Sequence, residues 1–220
     1  MTTLVLVHGL WLGGWSWDGV TARLERPAHA VELPMRTPAG DAKVVRAALD
    51  GIDDDVVLVG HSYGGAVVTA IGGHPRVRHV VHLAAFLLDE GESISRVAPG
   101  HAVPATGLSD ALRFSDDRSE VSIDGELAPA ILCQHADATT ADEVRRRLRP
   151  VARALFSDRP SAFSWRHAPS TYVVCTHDRT VAPDLQRVMA ARATRTVEWD
   201  SDHSPLLSRP GDVAELLDQV

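Results

Sequence analysis

The sequence lacks several features that identify whole classes of protein. Cysteine is scarce, with only Cys133 and Cys175 among 220 residues, so a disulfide framework is not indicated and both are expected to be buried free thiols. Positive charge is in deficit, because 29 acidic residues face 22 basic ones and the net charge is −7. A nucleic acid or an anionic membrane is therefore not an expected partner, since either requires a basic surface.

Long hydrophobic runs and clustered metal ligands are lacking as well. No apolar run approaches the length of a membrane span, and no basic and apolar leader precedes Leu4, so we expect a cytoplasmic protein. The eleven histidines are scattered, which predicts no metal site and no cofactor. The remaining composition, 45% hydrophobic and 23% charged, is typical of one globular domain and does not indicate an oligomeric state.

The most informative stretch is the motif Gly60-His61-Ser62-Tyr63-Gly64. The apolar run 56–59 before it predicts a strand buried on both faces, and the small residues at 64–70 predict a helix behind that strand. A serine on so tight a strand-to-helix turn has a strained backbone and an exposed hydroxyl. The N–H of Tyr63 then lies at a helix N-terminus, where an anion is favoured. The motif predicts Ser62 as a nucleophile with half of an oxyanion hole, and a purely structural glycine-rich turn is the alternative.

A second apolar run, 4–7, ends in His8-Gly9-Leu10-Trp11. A strand that runs into His-Gly can direct a backbone N–H toward the serine, so Leu10 is predicted to supply the second half of the oxyanion hole. Gly9 and Trp11 are candidates for the pocket wall, although Trp11 is equally compatible with the core. Two further tryptophans are expected in the core: Trp15 and Trp17.

Apolar runs and helical spacings alternate along much of the chain, which predicts an α/β fold with a doubly wound, mostly parallel sheet. Further strands are predicted at 30–34, 79–86, 171–175 and 194–199, and helices at 17–25, 41–52, 184–193 and 211–217.

The rhythm is interrupted over residues 88–167. This stretch has few apolar runs, a turn signal at Asp124-Gly125, and prolines at 99, 104, 129, 150 and 160. We expect an inserted lid over the carboxyl ends of the strands, with 1–87 and 168–220 forming the core of a single domain. A basic helix is predicted at 143–155, whose arginines (Arg145, Arg146, Arg147 and Arg149) suit a solvated helix face better than a grip on an anionic substrate.

A serine nucleophile requires a base, and the base requires an orienting carboxylate. His203 follows the last predicted strand and Asp178 follows the one before it, so both are expected beside Ser62 at the carboxyl edge of the sheet. The chain order Ser, Asp, His is the order expected of this architecture. Asp89 and Asp202 are alternative acids, but Asp202 adjoins the histidine too closely to turn back onto its ring.

These motifs resemble the α/β-hydrolase superfamily, and within it the branch with a small lid that contains plant hydroxynitrile lyases, methyl esterases and bacterial relatives. The resemblance is carried by Leu4 to Gly14, Gly60 to Gly65, Thr171 to Gln186 and Asp200 to Pro210. It implies a triad of Ser62, Asp178 and His203, with oxyanion amides at Leu10 and Tyr63. Two departures concern the lyases, because Gly9 stands where they have threonine and Ser204 where they have lysine.

The residues and the resemblance together predict a serine hydrolase that cleaves a carboxylic ester of a small molecule through an acyl-enzyme. Two alternatives are open. One is a lyase or natural-product tailoring enzyme that uses His203 as a base without an acyl-serine. The other is a small-molecule receptor without activity on the same fold.

Overall fold

The computed structural model describes residues 2–98 and 107–220. The strands are β1 (Thr2–Val7), β2 (Ala28–Val31), β3 (Asp55–His61), β4 (Val77–Leu83), β5 (Leu112–Phe114), β6 (Glu120–Ile123), β7 (Val151–Ala152), β8 (Ser170–Cys175) and β9 (Arg195–Trp199). A six-stranded sheet in the order β2-β1-β3-β4-β8-β9 forms the centre, and every neighbouring pair is parallel. A second, antiparallel sheet has the order β5-β6-β7.

Helices cover both faces of the large sheet, and two of them lie between β6 and β7 of the small one. The α-helices are α1 (Asp18–Thr21), α2 (Pro38–Asp50), α3 (Tyr63–Ala70), α4 (Ile94–Val97), α5 (Leu108–Ala111), α6 (Ala128–Leu132), α7 (Ala138–Arg147), α8 (Pro183–Ala190), α9 (Pro205–Ser208) and α10 (Pro210–Asp218). Short 3₁₀ helices lie at Gly14–Trp17, Arg153–Phe156 and Ser164–Arg166. No helix in these ranges is both long and apolar enough to cross a membrane.

Alternate residues of each central strand enter two separate cores. Val5 of β1 and Leu58 of β3 pack on the side of α2, α3 and α8, whereas Leu6 and Val59 pack on the side of α1 and α10. Because successive side chains of a strand point to opposite faces, two apolar faces require helices on both sides of the sheet. The predicted doubly wound parallel sheet is confirmed.

The pairing register of the central strands places their carboxyl ends side by side. Gly60 at the end of β3 lies opposite Val7 of β1 on one side and His82 of β4 on the other. The loops that follow these strands therefore meet at the carboxyl edge of the sheet, where parallel α/β proteins place their sites.

Residues 88–167, which lie between β4 and β8, are called the inserted segment below. Two of its prolines, 99 and 104, lie outside the described residues. Its backbone and side chains bond to loops that follow four central strands. Ala152 N–H donates to Met35 O after β2 at 3.0 Å, and the Gln134 amide donates to His177 O after β8 at 2.9 Å. The inserted segment therefore sits over the carboxyl edge, and its role as a lid is a proposal.

Two local predictions were wrong. The basic helix predicted at 143–155 ends at Arg147, because Pro150 disfavours the helical conformation for the residue before it, and the chain continues into β7. Trp17 is fully buried as expected, but Trp15 is only half-buried and lies under the guanidinium of Arg147, 4.7 Å from its ring centroid.

Three histidines are buried in the core without charge. Burial lowers the pKa of His8 to about 4 and that of His82 to about 3. Burial, assisted by the nearby His203, also lowers the pKa of His61 well below its usual value. Below about pH 6.5 the unfolded chain binds protons that the folded chain excludes, so the free energy of unfolding falls as the pH drops from about 6.5 toward 4.

The substitution His82→Leu tests this origin of acid sensitivity. Neither ring nitrogen of His82 has a partner among the described residues, so leucine should leave stability at pH 7 within about 1.5 kcal/mol. Between pH 7 and pH 5 the variant should lose roughly 2 kcal/mol less than the wild type. Urea unfolding at both pH values measures the difference, and an unchanged loss in the variant would show that His82 is not a source of the effect.

Candidate active site

Ser62 occupies a strained turn between β3 and α3. Its backbone has φ 53° and ψ −122°, a combination that side chains with a Cβ rarely adopt. The Ser62 N–H donates to Leu83 O at 3.2 Å, which ties the turn to β4. The turn closes only because Gly64 has no side chain, since a Cβ there would lie 2.4 Å from Val7 O. The predicted strand-turn-helix context of the motif is present.

His203 and Asp178 form a buried pair at the same edge of the sheet. His203 Nδ1 lies 2.7 Å from Asp178 Oδ2, and the two side chains are 2% and 0% exposed. A carboxylate can only accept in such a bond, so Nδ1 carries the proton and Nε2 is left as the acceptor. This is the tautomer that a general base requires.

Asp178 is held by three further donors. Its Oδ1 accepts from the backbone N–H groups of Thr180 at 2.6 Å and Val181 at 2.8 Å, while its Oδ2 also accepts from Gln186 Nε2 at 2.8 Å. With His203 included, every partner of the carboxylate is a donor. The arrangement keeps the carboxylate oriented on the imidazole.

The two alternative acids have other partners. Asp89 is bonded to Arg166 at the surface. Asp202 is buried, but it accepts from His135 N–H at 2.8 Å, Ser204 N–H at 3.2 Å and Ser208 Oγ at 2.7 Å. Neither carboxylate is bonded to the ring of His203.

His61 connects the serine turn to the loop of His203. It directly precedes Ser62, its Nε2 lies 2.8 Å from His203 O, and the two imidazole centroids are 4.8 Å apart. No hydrogen bond joins the Ser62 hydroxyl to His203 within the described parts of the chain. Contacts of this kind often tighten only when substrate is bound.

Two backbone N–H groups flank Ser62 without acceptors of their own. Leu10 N–H has no hydrogen-bond acceptor in the described ranges, and Tyr63 is the first residue of α3, so its N–H has no partner in the helix. The Tyr63 hydroxyl points the other way and donates to buried Asp41 at 2.7 Å. Burial raises the pKa of both side chains.

Gly9 lies against the serine turn, whereas Trp11 contacts the inserted segment. A Cβ on Gly9 would lie 2.8 Å from the Cβ of Ser62, so the loop after β1 packs directly against the serine there. Trp11 is buried, and its Nε1 donates to Val121 O at 3.2 Å. Val121 and Phe156, whose ring is 6.4 Å from that of Trp11, both line a cavity of about 490 Å³ in the inserted segment.

Sequence reasoning missed three residues that hold this arrangement: Gln186, His61 and His8. Each has a polar side chain that is buried in the structure. In the sequence each lies in or directly after a segment with apolar residues facing the core, and a polar residue at such a position is the signal that could have identified it. Within the described residues no group of three or more histidine, cysteine, aspartate or glutamate side chains is arranged to hold a metal ion.

Three features define the class as an α/β protein with a strand-turn-helix site: the parallel sheet, the strained serine turn and the loops that meet at the carboxyl edge. The chain belongs to the alpha/beta hydrolase family, whose family model matches residues 4–216.

Named relatives include esterases and hydrolases. The carbendazim hydrolyzing esterase of Nocardioides sp. (strain SG-4G) is 36% identical over 116 residues, which span 45% of this chain and 48% of that protein. Methylesterase 7 of Arabidopsis thaliana is 26% identical, with 98% of this chain and 95% of that protein covered. The resemblance to the methyl esterase branch is confirmed.

Solved structures share the fold across the whole chain. A pyrethroid hydrolase from Sphingobium faniae JZ-2 superposes with a TM-score of 0.86 at 20% identity, covering 99% of this chain and 96% of that one. Polyneuridine aldehyde esterase superposes with a TM-score of 0.79 at 21% identity, covering 99% and 98%.

Proposed function

We propose that the protein is a serine hydrolase that cleaves a carboxylic ester of a small molecule through an acyl-enzyme. The observation that carries the proposal is the buried His203–Asp178 pair, which lies beside the strained turn of Ser62 and is in the tautomer of a general base. The names of relatives, a carbendazim hydrolyzing esterase and a methylesterase, support ester chemistry.

In this mechanism Ser62 Oγ attacks the ester carbonyl carbon while His203 Nε2 accepts the hydroxyl proton. The carbonyl oxygen becomes an oxyanion, which the N–H groups of Leu10 and Tyr63 stabilise. His203 returns the proton to the departing alkoxide, so that an alcohol leaves and Ser62 carries the acyl group. Water, deprotonated by His203, then attacks the acyl carbon. The bond to Ser62 Oγ breaks as His203 returns the proton to that oxygen, and the carboxylic acid leaves. Asp178 keeps the imidazole oriented and stabilises its positive charge.

The lyase alternative is less well supported. Threonine in place of Gly9 would require a shift of the turn, because its Cβ would lie 2.8 Å from the Cβ of Ser62. Ser204, where the lyases have lysine, is fully buried and carries no positive charge. The groups that those enzymes use on cyanohydrins therefore have no counterparts at these two positions.

Covalent trapping separates the proposal from its alternatives. A fluorophosphonate should label Ser62, as located by peptide mass spectrometry, and His203→Gln should label far more slowly because the base is lost. A panel of p-nitrophenyl esters of graded chain length should show turnover, with an acyl-enzyme visible in acid-quenched samples. Ester turnover without any acyl-enzyme would mean that His203 acts as a base without an acyl-serine, as in the lyase or tailoring alternative, and tight binding without turnover would favour a receptor.

We propose further that the substrate is a small molecule and that the protein acts in the cytoplasm. Cys133 and Cys175 are both buried free thiols, and thiols of this kind persist in a reducing compartment.

A further inference from the structure

Arg149 does not lie on the solvated helix face that the sequence predicted. It follows α7 in the inserted segment, and its side chain is 32% exposed because it reaches into the loop after β1. That loop carries Leu10, the first of the two proposed oxyanion donors. Arg149 therefore joins the inserted segment directly to the proposed site.

The contacts of Arg149 span the loop. Its backbone N–H donates to Trp11 O at 3.1 Å, and its Nε donates to Leu12 O at 2.9 Å. Its Nη2 donates to Leu33 O at 3.0 Å and to His8 Nε2 at 3.2 Å. The guanidinium thus bonds three acceptors through two of its nitrogens, Nε and Nη2, which suits its planar fork of donors.

Glu32 completes the attachment at the far end of the loop. One of its carboxylate oxygens forms an ion pair with Arg149, and the other accepts the N–H of Gly14 at 2.7 Å. The pair therefore fixes the chain at His8, Trp11, Leu12 and Gly14.

His8 links the contacts of Arg149 to the Leu10 N–H, the proposed oxyanion donor. Its Nε2 accepts from Arg149 and from Leu33 N–H at 3.1 Å, so Nδ1 must carry the ring proton, which it donates to Gly9 O at 2.9 Å. The Gly9 carbonyl and the Leu10 N–H belong to one planar peptide unit. The direction of the Leu10 N–H is therefore set by a chain of hydrogen bonds that begins at Arg149 and Leu33.

The loop needs such support because its backbone is strained. Trp11 has φ 63°, which costs a residue with a Cβ of order 1–3 kcal/mol and persists only where the surroundings fix it. Three of the hydrogen bonds that fix this loop come from the inserted segment. Arg149 donates to Trp11 O and to Leu12 O, and Val121 O accepts from the Trp11 ring.

We propose that Arg149 is a positioning residue for the oxyanion hole, so that the inserted segment orients the Leu10 N–H and does not merely cover the site. The inference rests on the proposed function. It predicts that Arg149 affects the stabilisation of the developing oxyanion and leaves ground-state binding of the ester nearly unchanged.

The test compares Arg149→Gln, Arg149→Lys and a matched control, Arg145→Gln, which removes the same charge from a surface pair with Asp142. With a p-nitrophenyl ester, Arg149→Gln should lower kcat roughly 10- to 100-fold with KM within about threefold. Arg149→Lys should not restore kcat, because an ammonium group cannot reach three separate acceptors. Arg145→Gln should retain wild-type kcat. Hydrogen exchange in residues 8–14 should be faster in both Arg149 variants.

The outcomes separate this inference from the proposed function. If the wild type shows no hydrolysis that depends on Ser62, the proposed function and the role of Arg149 both fail. If the wild type is active and Arg149→Gln matches Arg145→Gln in kcat, only the role of Arg149 fails. The role of Arg149 also fails if Arg149→Gln raises KM without lowering kcat. It fails as well if a folded Arg149→Lys variant exchanges the backbone hydrogens of residues 8–14 as slowly as the wild type.

Discussion

Replacing Ser62 by alanine is expected to lower kcat for ester hydrolysis by roughly 10⁴- to 10⁶-fold. In the proposed mechanism alanine removes the atom that forms the acyl-enzyme, while the proposed oxyanion donors remain. The residual rate is then that of water attack on a bound ester, and KM should change little. Steady-state kinetics on the best p-nitrophenyl ester, with circular dichroism to check folding, measures the loss. A variant that keeps more than a tenth of the wild-type kcat would mean that Ser62 is not the nucleophile.

The companion variant Ser62→Gly separates catalysis from strain at the same position. Both variants lack the hydroxyl, but only glycine accepts φ 53° and ψ −122° without a steric penalty. Ser62→Gly should therefore be as inactive as Ser62→Ala and more stable than it by roughly 1 kcal/mol, after the greater chain entropy of unfolded glycine is subtracted. Equal melting temperatures for the two variants would show that the turn is not strained.

The substitution Asp178→Asn is expected to lower kcat by roughly 10³- to 10⁴-fold. All four partners of the carboxylate are donors, so an asparagine amide must face its NH₂ toward at least one of them in either orientation. If it faces His203, the ring loses its acceptor and the tautomer with a free Nε2 is no longer favoured. If it faces Thr180 and Val181, two buried N–H groups lose their acceptor, and stability falls by about 1–3 kcal/mol.

Asp89→Asn provides the matched control for that prediction. Asp89 was the main rival for the acid, and its carboxylate pairs with Arg166 at the surface. The control variant should retain wild-type kcat and lose no more than about 1 kcal/mol of stability, as is usual for an exposed ion pair. A large loss of activity in Asp89→Asn with none in Asp178→Asn would reverse the assignment of the acid.

Much of the fold could be predicted from the sequence because its signals are local. The apolar run before Ser62 and the small residues after it specify a buried strand and a close-packed helix without reference to any distant residue. Asp89 and Asp178 both follow predicted strands, and the sequence favours Asp178 because its strand directly precedes the strand before His203. His203 and Asp178 are indeed in hydrogen-bond contact.

The surroundings of Arg149 and of Trp15 could not be predicted, because they depend on contacts between residues far apart in the sequence. Arg149 lies 141 residues from His8 in sequence, and its neighbours Arg145 and Arg147 do lie on a solvated helix face. Arg149 differs from them because the helix ends at Arg147, before Pro150, and Arg149 is no longer on its exposed face. Trp15 was assigned to the core by its size, but a nearby arginine covers it at the surface instead.

The attachments of the inserted segment differ in how much they depend on side-chain identity. His135 N–H, Ala152 N–H and the carbonyl of Val121 bond to the core through backbone atoms, which almost any amino acid supplies. The guanidinium of Arg149 is specific to one residue type. A chimera that grafts the corresponding segment of another hydrolase onto this scaffold is therefore expected to keep its turnover only where the graft supplies an arginine at position 149.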